Sequence, residues 1–226
     1  MYSIVSDLLP GFLTQYWLAL AFAVLTSLKF LALGVGVGFT AGLGLAIAQL
    51  SPSPWLRGPV VALVELIRNT PLLVQLFWIH FALPALTGIG SSPERSAAIG
   101  IALSGACYFS EIIRGGIQGV PKGQRDAAAA LGLSRWCIWS RIVLPQAVID
   151  TLPALANTVL SFFKATSILS VIAVPELMMT STRISARTGD PIGVLTLMTL
   201  LYIFVGALLT LMLHRVETAF KLRSTR

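Results

Sequence analysis

The stretch Glu111–Pro145 reads EIIRGGIQGVPKGQRDAAAALGLSRWCIWSRIVLP. It is polar and rich in Gly and Ala, and apolar runs long enough to cross a bilayer lie on both sides of it. The segment must therefore emerge on one membrane face. It carries Arg114, Lys122, Arg125, Arg135 and Arg141 against Glu111 and Asp126, an excess of cations that assigns it to the cytoplasmic side. Within it, Gln124–Leu133 fits a short amphipathic helix that stops at a glycine. A helix surfaced with alanine between two spans suits docking in a groove of another protein. Its small residues Ala127, Ala128, Ala129 and Ala130 allow deep seating, and Leu131 and Leu133 supply apolar anchors. Gly132 is placed to end the helix in a left-handed cap. Asp126 sits near the N-terminal end, where a carboxylate favours the helix dipole and can meet a basic partner group.

The whole composition agrees with a membrane protein. Of 226 residues, 56% are hydrophobic and 11% charged, and the mean hydropathy is +0.85. A soluble domain carries about 25% charged residues. At about 20 residues per span, the length allows five or six membrane helices. The net charge of +7 is explained by basic residues in short loops and in the tail (Arg215, Lys221, Arg223, Arg226) rather than by nucleic acid. Cys107 and Cys137 are expected as free thiols near the cytoplasmic face. The first segment has Asp7, no basic leader and a long apolar continuation, so no cleavable signal is expected.

The spans follow from the apolar runs. Met1–Gln15 reads as an amphipathic lead-in with a break at Pro10–Gly11. Trp17–Gln49 is a long first span, and Pro59–Leu86 holds the second with a kink at Pro71. Ala97–Ile113 is the third. Thr151–Val174 is the fourth, carrying Lys164, and Pro145 is expected to begin the helix leading into it. Pro175–Asp190 reads as a loop, and Pro191–Leu213 is the fifth span. The expected fold is an all-α integral membrane protein of about five transmembrane helices. Residues 1–226 form one domain, with the amphipathic helix between the third and fourth spans. Ten Lys and Arg residues then lie inside and three outside (Arg95, Arg183, Arg187), so the N-terminus is expected outside and the C-terminus in the cytoplasm. In the first span, Gly34, Gly38 and Gly42 at four-residue spacing make one smooth face, for packing within the chain or against a partner.

No catalytic set is visible. The P-loop pattern is absent, His80 and His214 have no second ligand at metal spacing, and no Ser lies in a hydrolase motif. His80 reads as a packed or interfacial residue. Two polar stripes remain. Asn157, Ser161 and Lys164 share one helical face, with Thr158 and Ser167 beside it. Ser104, Tyr108 and Glu111 form the other. A lysine inside a span faces a cavity, meets a partner or snorkels. Lys164 could hold a substrate carboxylate. Glu111 could meet a substrate amine, or pair with Arg114 at i+3. Arg68, Asn69 and Gln75 around Pro71 could join the same path or satisfy kinked backbone. Lys29 reads as snorkelling or paired. A self-contained secondary transporter or channel for a small polar solute is the alternative. It would need paired intramembrane acids, and acids are few.

The cytoplasmic segment resembles the EAA loop of bacterial ABC importer permeases, on Asp126-Ala127-Ala128, Gly132 and Ile142-Val143-Leu144-Pro145. SEIIRGGIQGVPKGQRDAAAALGLS at Ser110–Ser134 resembles the polar amino acid uptake subfamily. So do RNTPLLVQLFWIHFALP at Arg68–Pro84 and LPALANTVLSFFKATSILS at Leu152–Ser170, with Glu176-Leu177 following. Two residues depart from the family pattern: Asp126 stands where Glu is usual, and Ala165 where the fourth-span motif often has an acid. The resemblance implies the membrane-spanning subunit of an importer for L-amino acids in a bacterial inner membrane, working by alternating access. It implies ABC ATPase subunits that carry ATP-Mg, a second permease subunit of the same or related sequence, and an extracytoplasmic amino-acid-binding protein. No cofactor is expected in this chain. Coupling to the ATPase is implied for Asp126, Ala127, Ala128, Leu131, Gly132 and Leu133.

Overall fold

A computed structural model describes residues 2–224, with the side chains of residues 15–220. Among these residues the fold is helical, and its elements run α1 (Tyr2–Gln49), α2 (Pro54–Asn69), α3 (Leu72–Phe77) and α4 (Leu83–Thr87), then α5 (Pro93–Gly119), α6 (Lys122–Ala130) and α7 (Arg135–Ile138), and finally α8 (Leu144–Ala165), α9 (Leu177–Thr188) and α10 (Pro191–Ser224). Wide π turns at Trp78–Ala82 and Trp139–Val143 join α3 to α4 and α7 to α8. The expected break at Pro10–Gly11 lies where side chains are outside the described residues, and α1 carries no interruption there.

The direction of each crossing follows from which residues meet. Gly34 faces Ile101 and Gly105, Gly42 faces Ala106, Phe109 and Ser110, and Gln49 donates to Ser110 Oγ at 3.1 Å. Both sets of numbers rise together, so α1 and α5 run parallel. An odd number of crossings must separate two parallel helices. The chain from α2 to α4 is therefore one crossing, although α2 and the helix beginning at Leu72 are bent by 103°. Helix α8 is antiparallel to α5: Gly116 meets Ala147 and Thr151, while Phe109 stacks on Phe162. Val194 near the start of α10 packs with Leu20 and Ala23 of α1, which sets α10 parallel to α1. Five alternating crossings result among the described residues. One end carries the α1–α2 turn and α6, and the other the α4–α5 and α9–α10 turns.

The glycine face of α1 is spent inside the chain. A Cβ on Gly38 would lie 2.9 Å from the Gly105 backbone, so the two backbones touch and no larger residue fits. By contrast, only 6% of the most apolar window of α10 is buried. That surface faces lipid or another subunit.

Three expectations change. The kink at Pro71 is a full break, because Pro71 has no N–H and disfavours helical backbone at Thr70, which is extended at φ −97°, ψ 128°. Pro145 stands in the first turn of α8, as expected, but that helix is not the start of the run. The helical run extends over Arg135–Ile172, and the π turn before Pro145 absorbs the missing donor. The loop expected at Pro175–Asp190 is largely α9. Its Leu177, Ser181 and Ile184 are buried at i, i+4 and i+7, so the fourth crossing continues through a 3-10 segment, Thr166–Ile172, and a turn into α9.

Candidate functional site

Two regions stand out, one at the end of the bundle and one inside it. Helix α6 covers the expected amphipathic segment but begins at Lys122 and ends at Ala130. Its stop is built as anticipated: Gly132 has φ +73°. The Gly132 N–H donates to Ala129 O at 3.0 Å and the Leu133 N–H to Ala128 O at 3.2 Å. This pair of bonds satisfies carbonyls that the helix end leaves free. Ala128 is buried against Val120, Ile138, Val143 and Ala147, so it anchors α6 to the bundle and does not face outward. Asp126, Ala127, Ala129 and Ala130 are exposed. Leu131 is 80% exposed and Trp136 79%. These open apolar side chains lie beside a smooth alanine face and make one exposed apolar patch at this end of the bundle. Arg125 ties α6 back through a bond to Val120 O at 2.9 Å, and Gln146 donates to Gln124 at 2.7 Å.

The second region surrounds the break between α2 and α3. Gln75, buried, donates from Nε2 to the carbonyls of Ile67 and Thr70, each at 2.8 Å, and accepts from Ser104 Oγ at 2.8 Å. It thus replaces the helical bonds that the break removes. Arg68 lies beside it with Nη1 3.9 Å from Glu65 Oε1 and 3.7 Å from Glu111 Oε2. Its guanidinium stands 5.8 Å from the centre of the Tyr108 ring. The Tyr108 hydroxyl donates to Arg68 O at 3.5 Å. Arg114 bonds the other oxygen of Glu111, as the i+3 spacing suggested. Asn69 donates to Glu65 Oε2 at 3.1 Å. Next to Glu111 a cavity of about 320 Å³ is lined by Gly115, Gly116, Gly119, Asp150 and Thr151.

Depth follows from α1. Gly34–Gly38, near the middle of the span Gln15–Gln49, face Gly105. Glu111 is six residues further, roughly 9 Å at 1.5 Å per residue, and so still within the hydrocarbon layer. Glu65, Arg68 and Glu111 meet at that level, where charged side chains are rare.

Of the residues anticipated for a path, Arg68, Gln75, Tyr108 and Glu111 come together. Lys164, Asn157 and Ser161 are exposed on α8. Lys164 instead borders a cavity of about 270 Å³ with Leu160, Tyr202, Ile203, Gly206 and Thr210 of α8 and α10. The Ser161 hydroxyl is taken by Asn157 O at 2.9 Å. Lys29 pairs with Glu94 at 3.8 Å, and His80 meets Ser96 Oγ at 3.0 Å. Sequence reading missed Glu65 and Asp150. Glu65 was detectable, since it stands three residues before Arg68 and four before Asn69. Among the described residues no cluster of side chains could hold a metal ion.

Five alternating crossings among the described residues, a charged break inside the bundle and a glycine-capped helix at one end are the framework of a membrane permease. The chain belongs to the family described as the binding-protein-dependent transport system inner membrane component, which it matches over residues 34–222. It is 39% identical over 165 residues to the probable amino-acid ABC transporter permease YckA of Bacillus subtilis, covering 73% of each chain. It is 36% identical to the L-cystine transport permease TcyB of the same organism, covering 90% of this chain and 87% of TcyB. The nopaline transport permease NocM of Agrobacterium fabrum is 35% identical, over 81% of this chain and 80% of NocM. Among solved structures, an amino acid ABC transporter with histidines superposes with a TM-score of 0.86 at 28% identity, over 92% of this chain and 96% of that one. The methionine transporter MetNI, at 18% identity and a TM-score of 0.77, shares the fold.

Proposed function

We propose that this chain is the membrane-spanning subunit of an ABC importer that carries L-amino acids into the cytoplasm. The observation that carries the reading is α6 itself: a glycine-capped helix with an exposed alanine face and exposed Leu131, set at one end of a five-crossing bundle. In this reading Asp126, Ala127, Leu131, Gly132 and Leu133 contact an ABC ATPase subunit, and Ala128 holds α6 on the bundle. ATP-Mg is bound and hydrolysed on that partner. A second permease chain, the same or related, covers the open face of α10, and an extracytoplasmic binding protein delivers the substrate. The N-terminus lies outside and the C-terminus in the cytoplasm, as the ten-to-three distribution of basic residues supports. Closure of the ATPase pulls two α6 helices together and opens the outer side, which is alternating access without covalent chemistry in this chain. Arg68, Gln75, Tyr108 and Glu111 line the path near its centre, and Lys164, Asn157 and Ser161 line it on α8.

Uptake of L-amino acids in cells, with and without the ATPase subunit, tests the assignment. Import that persists without it points to a self-contained transporter. Single cysteines in a Cys-free chain test orientation. Ser91→Cys is expected to react with an impermeant maleimide from outside, and Ser224→Cys is not.

A further inference from the structure

Helix α6 is held to the bundle at three points, and all three lie on one of its faces. Gln124 and Arg125 stand four and three residues before Ala128, one helical turn away. Arg125 Nη2 donates to Val120 O at 2.9 Å. Val120 closes α5 and is 1% exposed, and Pro121 after it has no N–H to extend that helix. The guanidinium therefore sits at the carbonyl end of the third crossing, where a cation is favoured. Gln146 Nε2 donates to Gln124 Oε1 at 2.7 Å, which ties the same helix to α8 in the fourth crossing. Ala128 fits among Val120, Ile138, Val143 and Ala147.

The three ties constrain α6 in different ways. Apolar contact has no preferred direction, so a single methyl group is a pivot about which α6 would rock. A hydrogen bond fixes both a length and an angle. Two of them, one turn from the pivot and reaching two different crossings, remove the rocking. Those crossings are themselves closely joined: a Cβ on Gly116 of α5 would stand 3.0 Å from Ala147 O of α8 and would meet Thr151. Arg125 also brings a cost, because its buried Nε has no partner among the described residues. Stability alone does not account for a donor left idle there. A fixed angle between α5 and α6 does.

Resting on the reading as an ABC importer subunit, we propose that Arg125 and the Gln124–Gln146 pair are clamps that make α6 and the adjoining ends of α5 and α8 one rigid unit. Arg125 is a positioning residue. It acts through α5, not on the substrate, and it turns a displacement of α6 by the ATPase into a joint displacement of the third and fourth crossings.

The test uses the permease–ATPase complex with its delivery protein in proteoliposomes. Uptake of L-glutamine, L-cystine and L-histidine is measured per ATP hydrolysed. Arg125→Met is expected to lower that ratio about tenfold, the equivalent of one hydrogen bond to a charged group. Gln146→Leu is expected to lower it about threefold, as for a neutral hydrogen bond. Arg125→Lys, which keeps a cation for Val120 O, is expected to restore most of the loss. Basal ATP hydrolysis and co-purification of the ATPase are expected to stay as in wild type. A second readout separates a clamp from a residue that only stabilises the fold. Spin labels on Arg95→Cys and Lys122→Cys, in an otherwise Cys-free chain, report the distance from the far end of α5 to α6. With Arg125 in place, one narrow distance is expected both without nucleotide and with ATP trapped. In Arg125→Met the distance is expected to broaden once ATP binds. A distance that changes with ATP while Arg125 is present overturns the proposal. So does an Arg125→Met complex that keeps the narrow distance, or one that no longer holds the ATPase. If wild type imports none of the three amino acids while the distances behave as expected, the importer reading fails and the rigid unit stands.

Discussion

Two of the five crossings are broken, and the breaks differ in how completely their polar groups are satisfied. Both rest on the same core, where Leu72 and Leu76 of α3 pack with Leu169, Ile172 and Val174 of the second break. At the α8–α9 break, Ala173 takes a left-handed conformation, φ +64°, unusual for a residue with a Cβ. The strained turn is paired throughout. Ala173 N–H donates to Ser170 O and Val174 N–H to Leu169 O. Glu176, fully buried, accepts from the Met178 and Met179 N–H groups at 2.8 Å and from the Tyr202 hydroxyl at 3.0 Å. Ser27 Oγ accepts from Leu177 N–H at 3.3 Å. A carboxylate without a cation is tolerated there because it caps a helix N-terminus and its oxygens are occupied. At the α2–α3 break the backbone is equally well paired through Gln75, but Arg68 beside it is not. Both breaks bend the chain. Among the described residues, only the α2–α3 break leaves a guanidinium nitrogen beside it without a partner.

The contrast is tested first by removing each joint. Glu176→Ala strands two backbone N–H groups and a phenol at once, with an expected loss of about 4 kcal/mol. The variant is expected to fail in assembly, seen as a collapsed yield of monodisperse complex by size exclusion. A stable, active Glu176→Ala protein would dissolve the distinction between the two breaks. Gln75→Ala comes next. It removes one bond from the Ile67 carbonyl, which keeps the Thr70 N–H at 3.3 Å, takes the Gln75 bond from the Thr70 carbonyl and leaves the Ser104 hydroxyl without its acceptor, at an expected cost of about 2 kcal/mol. A Tm lowered less than in Glu176→Ala, with the complex still formed, keeps the ranking. A Tm equal to wild type would mean that water can replace Gln75, and that the first break is open on both counts.

Gly132→Ala is expected to cost still less, about 1 kcal/mol, because a Cβ at φ +73° is strained but has open space around it. Its larger signature lies in coupling. Stimulation of ATP hydrolysis by substrate is expected to drop while membrane insertion stays intact, and Gly132→Asp is expected to abolish transport. Normal uptake together with normal co-purification of the ATPase in Gly132→Asp would remove α6 from the docking surface.

Much of this was legible in the sequence, for local reasons. Apolar runs marked the crossings, Pro71 marked the first break, and the alanine run with Gly132 marked α6 and its cap. Helix α9 was hidden because one of its faces carries Thr182, Arg183 and Arg187, which read as a loop, while its buried face is only Leu177, Ser181 and Ile184. The role of Glu176 was hidden for another reason. Its partners Tyr202 and Ser27 come from α10 and α1, and no local spacing signals such a bond. The charged cluster was half legible. The pairs Glu65–Arg68 and Glu111–Arg114 are one helical turn apart, but the bridge from Arg68 to Glu111 exists only because α2 returns alongside α5.

Lys164 is the sharpest remaining test, because its expected cost to the fold is the smallest. Its side chain is exposed on α8 and no acid lines the cavity beside it, so Lys164→Met, which keeps length and removes charge, is expected to leave Tm and assembly unchanged. Transport is where it should register. If the exposed stripe of Asn157, Ser161 and Lys164 lines the path, the lysine ammonium attracts the substrate carboxylate on its way to or from the centre. Its loss is then expected to weaken uptake by about one to two orders of magnitude, with basal ATP hydrolysis intact. Binding to the isolated delivery protein must stay as in wild type, since that site is on another chain. A structural lysine would give the reverse pattern: poor assembly, rescued by removing an acid on the second permease chain. Normal assembly with normal uptake and unchanged substrate dependence would take Lys164 out of the path.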